Sequence, residues 1–347
     1  MKPLLGRTLE ELQEIAALFD LPPYAARQMA GWIYAKPVNG IAAMSNLPRR
    51  AREAIAAEYE IGRRAPVRRA VSFDGTVKYL FTAGAGRFVE TAVIPDGARA
   101  TLCLSTQVGC RRACRFCATG RQGFHGNLTA DEILNQYAAL PERDRITNIV
   151  YMGMGEPLDN VEAVLRSLAV FTAPWGYGLS PSRLTVSTVG IRPALSRLIT
   201  ESRCHIAISL HSPFPEERRR LVPAEAAHPV ADTLAELRAA RIGGQRRIMI
   251  EYIPFAGLND TPRHAAALAA LLRGIRCRIN LIPFNAVPDA ALAPSDRSRI
   301  EAFQTELRRR GFIATIRASK GADIGAACGL LSTASLGGVA PDPAAGG

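Results

Sequence analysis

The sequence predicts an α/β fold: a partial or full barrel of about six βα units that follows an N-terminal helical module and a small β-hairpin extension. From residue 100 onward, six short apolar segments alternate with segments of helical periodicity. Before that point the hydrophobic period is first helical and then alternating. Short apolar strands separated by helices indicate a parallel sheet that helices cover. The 347 residues suffice for one large core with a smaller attachment.

Residues 1–62 are predicted to form the N-terminal helical module. Thr8 and Glu11 have the spacing of a capping box, and the apolar positions after them recur with helical periodicity. Further helices are predicted over 24–34 and 51–59, and several arginines lie at the start of the last one. Such a module is typically a packing unit. Only the motifs described below make it a candidate for docking RNA.

Residues 63–99 are predicted to form the β extension. Apolar and polar residues alternate over 67–73 and again over 77–81, on either side of the hairpin signal Asp74-Gly75. A further strand is predicted over 88–93. This extension leads directly into the first strand of the barrel.

The barrel core is predicted over 100–330. Its predicted strands are 100–105, 146–151, 183–188, 204–209, 247–253 and 278–282. Its predicted helices are 129–140, 160–172, 192–200, 229–241, 262–273 and 295–310. In such a fold the catalytic site lies at the C-terminal ends of the strands. Residues 331–347 are predicted to be a disordered tail, because glycine, alanine and proline dominate them.

The charge balance points to an anionic partner. Lys and Arg number 43 against 31 Asp and Glu, so the net charge is +12. Arginine binds phosphate in a bidentate way, which favours a nucleic-acid partner, although a GC-rich genome also produces solvated arginines. The candidates for phosphate contacts are Arg63-Arg64, Arg68-Arg69, Arg218-Arg219-Arg220, Arg246-Arg247 and Arg308-Arg309-Arg310. No apolar run is long enough for a membrane span or a secretion signal, so we expect a cytoplasmic protein.

Three cysteines cluster directly after the first predicted barrel strand, at Cys110, Cys114 and Cys117. Close thiolates bind a soft metal. Structural zinc requires four ligands, and Cys103 or His125 could supply the fourth, but a second Cys-x-x-Cys pair is missing. A [4Fe–4S] cluster normally takes four cysteines, so three would leave one iron open to an exogenous ligand. An open iron is what a catalytic cluster needs.

Polar side chains follow several predicted strands at the end where the parallel strands would meet. Together they fit a ring of hydrogen-bonding groups around one polar cofactor, although each alone is more often a strand-end cap. These candidate cofactor-binding residues are Gly155, Glu156, Ser187, Ser209, Leu210, His211 and Asn285.

The spacing Cys-x3-Cys-x2-Cys, followed one βα unit later by Gly-Glu-Pro, resembles the radical S-adenosylmethionine (SAM) superfamily. Cys103, the Ser-Leu-His and Leu-Ile-Pro-Phe-Asn segments and Asp-Ile-Gly-Ala-Ala-Cys328-Gly narrow the resemblance to the RlmN/Cfr family of radical-SAM RNA methyltransferases, over about 4–330. The resemblance implies a radical-SAM partial (β/α)6 barrel whose three clustered cysteines hold a [4Fe–4S] cluster. The open iron then chelates SAM, and Gly155 and Glu156 contact the SAM amino group.

The resemblance also implies a reaction with two SAM molecules. The first methylates Cys328; the second yields a radical that takes hydrogen from this methyl group, and the resulting carbon radical adds to adenine. Cys103 then acts as the base, and a Cys103–Cys328 disulfide forms on release. Glu90 matches a family acidic residue that accepts a proton, although a solvated strand glutamate is the other interpretation. The implied partners are 23S rRNA, tRNA and an unidentified electron donor, with no membrane and a monomer as the default.

Several functions remain open at this point. An RlmN-type enzyme makes 2-methyladenosine, whereas a Cfr-type enzyme methylates C8 of adenine. The N-terminal module and the segment Gln122-Gly123-Phe124 favour the first. A zinc-stapled, non-catalytic RNA-binding protein and a radical-SAM enzyme acting on a small metabolite are the remaining alternatives. Iron analysis addresses the former, and replacing Cys328 addresses the latter.

Overall fold

The computed structural model describes residues 1–84, 86–240, 242–287 and 291–333. Its architecture confirms the predicted fold class, because helices cover a large sheet whose greater part is parallel. The predicted tail lies outside the described residues from position 334 onward. Within the described ranges, none of the helices combines the length and the apolar character that a membrane span requires.

A ten-stranded sheet runs through the molecule in the order β14-β13-β12-β11-β10-β9-β6-β5-β4-β3. The strands are β1 (Lys2–Pro3), β2 (Tyr59–Glu60), β3 (Arg68–Val71), β4 (Val77–Ala83), β5 (Arg87–Asp96), β6 (Arg99–Cys103), β7 (Gln107–Gly109), β8 (Phe124–Asn127), β9 (Asn148–Tyr151), β10 (Leu184–Thr188), β11 (His205–Ser209), β12 (Ile248–Tyr252), β13 (Cys277–Leu281) and β14 (Ile313–Ile316). From β6 through β9 to β14 all neighbouring strands are parallel. The sheet ends at β14 and β3 instead of closing, so the barrel is partial.

Within the described residues of the ten-stranded sheet, the parallel part contains one strand more than the sequence predicts, and it is β14. This strand is short and lies at the edge of the sheet. Of its residues only Ala314 is buried, whereas Ile313 is 56% exposed. A single buried position gives neither a continuous apolar run nor a sustained alternation, and these are the two patterns by which strands are found in a sequence.

The β extension continues the barrel sheet and is not a separate layer. Strands β3, β4 and β5 form an antiparallel meander, and β5 pairs antiparallel with β6. The predicted hairpin turn between β3 and β4 is confirmed, with Gly75 at φ +84°. Cys103 on β6 is therefore opposite Ala92 of the extension.

The helices cover the sheet and enclose one continuous apolar core. They are α1 (Leu9–Leu18), α2 (Ala25–Ala30), α3 (Arg49–Glu58), α4 (Ala118–Gln122), α5 (Ala130–Ala138), α6 (Val161–Thr172), α7 (Ala194–Glu201), α8 (Pro215–Leu221), α9 (Val230–Ala239), α10 (Pro262–Leu271) and α11 (Arg297–Arg309). Alternating strand residues such as Ile206 and Ile208 are fully buried beneath them. The short helices α4 and α8 are absent from the sequence-based prediction.

The N-terminal module packs against the barrel helices. The predicted capping box is present: Glu11 N–H donates to Thr8 Oγ1 over 3.3 Å, and Thr8 N–H donates to Glu11 Oε2 over 2.8 Å. Tyr34, buried in this module, places its ring 5.8 Å from that of Trp175 and 5.3 Å from that of Tyr177. The cores of the module and the barrel are therefore continuous.

Candidate active site

The loop that carries the three clustered cysteines, residues 110–117, is held in a tight backbone fold that we call the cluster loop. It follows β7, where Gly109 has φ +73° and a Cβ atom would lie 1.7 Å from the carbonyl oxygen of Gly123. Only glycine fits there, and it lets Cys110 N–H donate to that same carbonyl over 2.8 Å. Arg112 forms an ion pair with Asp159, which lies in the short 3₁₀ helix Pro157–Asn160 between β9 and α6.

A cavity of about 150 Å³ brings most of the predicted cofactor site together. All three cysteines of the cluster loop line it. So do Gly155, Glu156, Ser187, Ser209 and His211. The remaining two candidates lie elsewhere: Leu210 is fully buried, and Asn285 lines a second cavity described below.

Soft thiol donors in one shared cavity fit a [4Fe–4S] cluster. Burial raises the pKa of the Cys110 thiol to about 12, so binding iron as thiolate requires the loss of its proton. Among the described residues, no three His, Cys, Asp or Glu side chains are spaced as the ligands of a single metal ion. The fit to a cluster rests on the donor chemistry and on the common cavity.

Glu156 is a buried carboxylate held by the backbone of the loops around it. Its Oε1 accepts from Leu158 N–H and its Oε2 from Val189 N–H, each over 3.0 Å. Burial raises the pKa of Glu156 to about 7 in spite of these bonds. A cation bound in the cavity would favour the ionised form, so this carboxylate suits an ammonium group.

His211 is a neutral hydrogen-bond donor at the end of β11. Its Nδ1 accepts from Ile253 N–H over 3.2 Å, so the proton of the ring lies on Nε2. Burial, together with the charge of Arg218, lowers the pKa of His211 to about 3. Its ring packs edge-on against Phe116 of the cluster loop, with 4.6 Å between centroids. The backbone has φ +61°, in the left-handed region where residues other than glycine are rare.

Arg218 joins the ends of two barrel strands, which the sequence does not reveal. Its guanidinium donates to Val189 O over 3.0 Å and to Ser209 O over 2.9 Å, and it forms a buried ion pair with Glu225. The side chain is fully buried, which overturns the prediction that it contacts phosphate. A charged side chain is fully buried only when other groups pair with it. The Arg218-Arg219-Arg220 sequence does not indicate which of the three arginines has such partners.

Three other predicted phosphate contacts also donate to backbone carbonyls, and one of them is Arg308, whose Nε donates to Ala314 O over 3.1 Å. Arg63 donates to Val38, Ile33 and Lys36. Arg246 donates to Cys204, Ile199 and Leu198. By contrast, Arg68, Arg69, Arg219 and Arg220 are exposed. Exposure therefore divides the arginine clusters into structural and surface members.

Gly153 lets the loop after β9 approach the loop after β6. A Cβ atom at this position would lie 2.5 Å from Leu104 O and 2.7 Å from Ser105 Oγ. We expect Gly153→Ala to lower the free energy of unfolding by about 2 kcal/mol, because a buried backbone carbonyl must move. Gly40→Ala is the control, since a Cβ there meets nothing within 4 Å. Urea unfolding measures both; equal stabilities of the two variants would contradict the prediction.

A larger cavity of about 530 Å³ adjoins the first and contains both remaining candidate cysteines, Cys103 and Cys328. Its charged lining is mostly basic, with Arg99, Arg317 and Lys320. Cys328 lines both cavities, as do Cys117 and Gly153. Cys328 therefore lies at the junction between the cavity of the cluster cysteines and the larger basic one.

Burial raises the pKa of both cysteine thiols. Burial, followed by the charge of Cys328, raises the pKa of the Cys103 thiol to about 12. Desolvation by the walls of the cavity raises the pKa of Cys328 as well, although this side chain is exposed to the cavity. The positive charge of Arg317 opposes the shift at both thiols. Either cysteine must therefore lose a proton before it acts as a thiolate.

The segment around Cys328, residues 317–329, is anchored at several points, and we call it the Cys328 loop. Ser72 Oγ donates to Asp323 Oδ1 over 2.6 Å, and Gly321 N–H donates to Asp74 Oδ2 over 2.8 Å. Asn285 Nδ2 donates to Cys328 O over 3.3 Å. Ala118 N–H donates to Gly329 O over 2.7 Å, which ties this loop to the end of the cluster loop.

Glu90 lies beneath the chain that follows the Cys328 loop. Its carboxylate is buried, forms an ion pair with Lys78 at 2.8 Å and accepts from Ser332 N–H over 2.9 Å. Glu90 is not among the described residues that line the two cavities. Its observed contacts support the position of the loop.

Comparisons with known proteins agree with this site. Residues 104–269 match the family model of the radical SAM superfamily, and residues 2–61 match that of the ribosomal RNA large subunit methyltransferase N-terminal domain. A protein of Porphyromonas gingivalis, described as a probable dual-specificity RNA methyltransferase RlmN, is 54% identical over 330 residues, which is 95% of this chain and 96% of that protein. A protein of the same description from Synechococcus elongatus is 41% identical over 348 residues, covering 96% of this chain and 95% of that one.

A solved structure is similar over the same span. The crystal structure of a radical SAM methyltransferase from Sphaerobacter thermophilus matches with a TM-score of 0.89 at 40% identity. The match covers 95% of this chain and 99% of that one.

Proposed function

The chain belongs to the RlmN family of radical SAM RNA methyltransferases, and from that premise we propose that it makes 2-methyladenosine in 23S rRNA and in tRNA through a methyl group carried on Cys328. The observation that carries this proposal is the position of Cys328 between the two cavities. A residue there reaches a methyl donor on one side and a substrate base on the other. The proposed substrates imply a cytoplasmic location.

The smaller cavity is the proposed cofactor site. Cys110, Cys114 and Cys117 would hold the [4Fe–4S] cluster, which, when bound and reduced by an electron donor, would supply the one-electron chemistry that cleaves SAM. Glu156 would pair with the SAM amino group, because its buried carboxylate gains from a cationic partner. Ser187, Ser209 and the Nε2–H of His211 offer further hydrogen bonds to a polar ligand at the strand ends.

Cys328 is the proposed methyl carrier. Its thiol loses a proton as it accepts the first methyl group, and the positive charge of Arg317 favours the thiolate. The Cys328 loop is fixed to both the extension and the cluster loop, so the methylated sulfur stays at the junction of the cavities. Pre-organisation of this kind reduces the entropy that is lost when the reacting groups are aligned.

Cys103 is the proposed base and the partner of the closing disulfide. Its side chain lines the same large cavity as Cys328. The negative charge of the Cys328 thiolate raises the pKa of the Cys103 thiol, which indicates that the two sulfur atoms are close. The high pKa makes the Cys103 thiolate a strong base once it forms. Release of the product leaves a Cys103–Cys328 disulfide, which a reductant must open before the next cycle.

The larger cavity is the proposed site of the target adenine. Arg99, Arg317 and Lys320 give it a charge that suits a phosphate backbone. A base reaches such a recessed site from a loop or bulge, or by flipping out of a helix.

Analysis of the product tests the proposal. We expect anaerobically reconstituted enzyme, incubated with SAM and protein-free 23S rRNA or tRNA, to yield 2-methyladenosine after digestion to nucleosides and mass spectrometry against synthetic standards. Finding 8-methyladenosine would assign a Cfr-type reaction instead. Finding neither, with an intact cluster, would contradict RNA methylation and favour a small-metabolite substrate. The assay also identifies which reductants serve as electron donor.

A further inference from the structure

The turn between β3 and β4 holds an exposed aromatic side chain on a rigid support. Phe73 is 90% exposed. A single exposed apolar side chain needs no explanation by itself. Phe73 differs because its turn, residues 72–76 and here called the hairpin turn, is bound on both sides of the aromatic residue. Asp74 N–H donates to Ser72 Oγ over 3.2 Å, and Thr76 N–H donates to Asp74 Oδ1 over 2.9 Å.

The hairpin turn is also attached to the Cys328 loop. Phe73 N–H itself donates to Asp323 Oδ2 over 3.4 Å, and Asp323 also accepts from Ser72 Oγ over 2.6 Å. Asp74 accepts from Gly321 N–H over 2.8 Å. The position of the aromatic side chain is thus fixed relative to the loop that carries Cys328.

The hairpin turn borders the proposed adenine cavity. A Cβ on Gly75 would lie 3.3 Å from Cγ of Pro95, and Pro95 lines that cavity. The exposed side chains of Arg68 and Arg69 lie on the adjoining edge strand β3. Phe73 thus shares one hairpin with exposed basic side chains, and aromatic rings combined with basic groups bind unpaired nucleotides by stacking on the base and pairing with the phosphate.

We propose that Phe73 stacks on an unpaired base of the RNA substrate, beside the cavity that receives the target adenine. This inference rests on the proposed function and adds a binding contact to it. The fixed turn means that little conformational freedom is lost when the base stacks. Arg68 and Arg69 contact the phosphates of the same unpaired segment.

The test measures the affinity of the full chain for deproteinised total tRNA at fixed salt. We expect Phe73→Ala to raise Kd about tenfold, the effect of losing one base–aromatic stack. Phe73→Trp should restore the affinity, since indole stacks as well as phenyl. Val71→Ala is the matched control, because Val71 is 58% exposed on the same hairpin and offers no ring.

Three results would overturn the inference. One is a Kd for Phe73→Ala within twofold of Val71→Ala, which would also be the outcome if Phe73 contacted a protein. A second is a Kd for Phe73→Trp that stays as high as that of Phe73→Ala. The third is a loss of Cys328 methylation in Phe73→Ala, which would make the residue a support of the Cys328 loop. Cys328 methylation in the wild type, read by peptide mass spectrometry without RNA, reports on the proposed function independently of Kd.

Discussion

Cys328→Ala is expected to abolish RNA methylation, by about 10⁴-fold or more, which is the scale of losing a residue that forms a covalent bond with substrate. The cluster and its SAM should remain, because Cys328 is not a member of the proposed ligand set. Stability should also be preserved, since the side chain is exposed to the cavity and its removal leaves no buried void. Peptide mass spectrometry with methyl-labelled SAM should show label on the wild-type Cys328 peptide.

The contrasting variant is Cys103→Ala, which removes the other thiol of the same cavity. It should still acquire the methyl on Cys328 and form the bond to RNA, but it lacks the proposed base and disulfide partner. A protein–RNA adduct stable to denaturing electrophoresis should accumulate. Methyl transfer to RNA by Cys328→Ala would exclude the carrier role. An absence of adduct in Cys103→Ala, with the methyl still present, would remove Cys103 from the release step.

Cys117→Ala should eliminate both the cluster and every methyl transfer. The wild type reconstituted under anaerobic conditions should contain about four iron and four sulfide per chain. The variant should contain little of either, because the proposed cluster site loses one of its three protein ligands, and its Cys328 should stay unmethylated because the proposed SAM site depends on the cluster. Cluster content is measured by iron and sulfide assays and by the visible absorbance of the cluster. Methylation of Cys328 is measured by the same peptide mass spectrometry.

The control for this loss is Cys277→Ala, which removes a cysteine at the start of β13 that lines neither cavity described here. It should keep iron, sulfide and activity. A wild-type protein that is colourless and binds zinc would support the zinc-stapled, RNA-binding alternative. Retention of a full cluster by Cys117→Ala would show that another residue supplies the ligand.

Most residues of this site could be predicted from the sequence, because they form short motifs or follow recognisable strands. Cys110, Cys114 and Cys117 are close along the chain, and strand-end residues such as Ser187 and His211 follow apolar runs that can be counted. The sequence does not predict the structural role of Arg218 on α8, because its acceptors Val189 O and Ser209 O lie at the ends of two different strands that precede it along the chain. The position of Cys328 between two cavities likewise depends on contacts with Asp74 and Ala118, each about 200 or more residues earlier.

The fold likewise has parts that local sequence patterns predict and parts that depend on tertiary contacts. Strong periodicity identifies the buried strands, whereas β14 has one buried residue and escapes detection. The separation of the arginines into buried and exposed members also depends on tertiary contacts, since Arg218 and Arg219 are adjacent in sequence and differ completely in exposure.

The anchors of the Cys328 loop and of the chain after it have a consequence for biosynthesis. Ser72, Asp74, Glu90, Ala118 and Gln122, all in the first 122 residues, hold a segment that begins at residue 317 and continues to Thr333. During translation the cluster loop and the strands β3 to β6, which pair next to one another in the sheet, emerge long before this segment leaves the ribosome. Loop closure over such a separation is slow and comes late. The three cysteines of the cluster loop are therefore synthesised well before Cys328, and the proposed methyl carrier joins the site last.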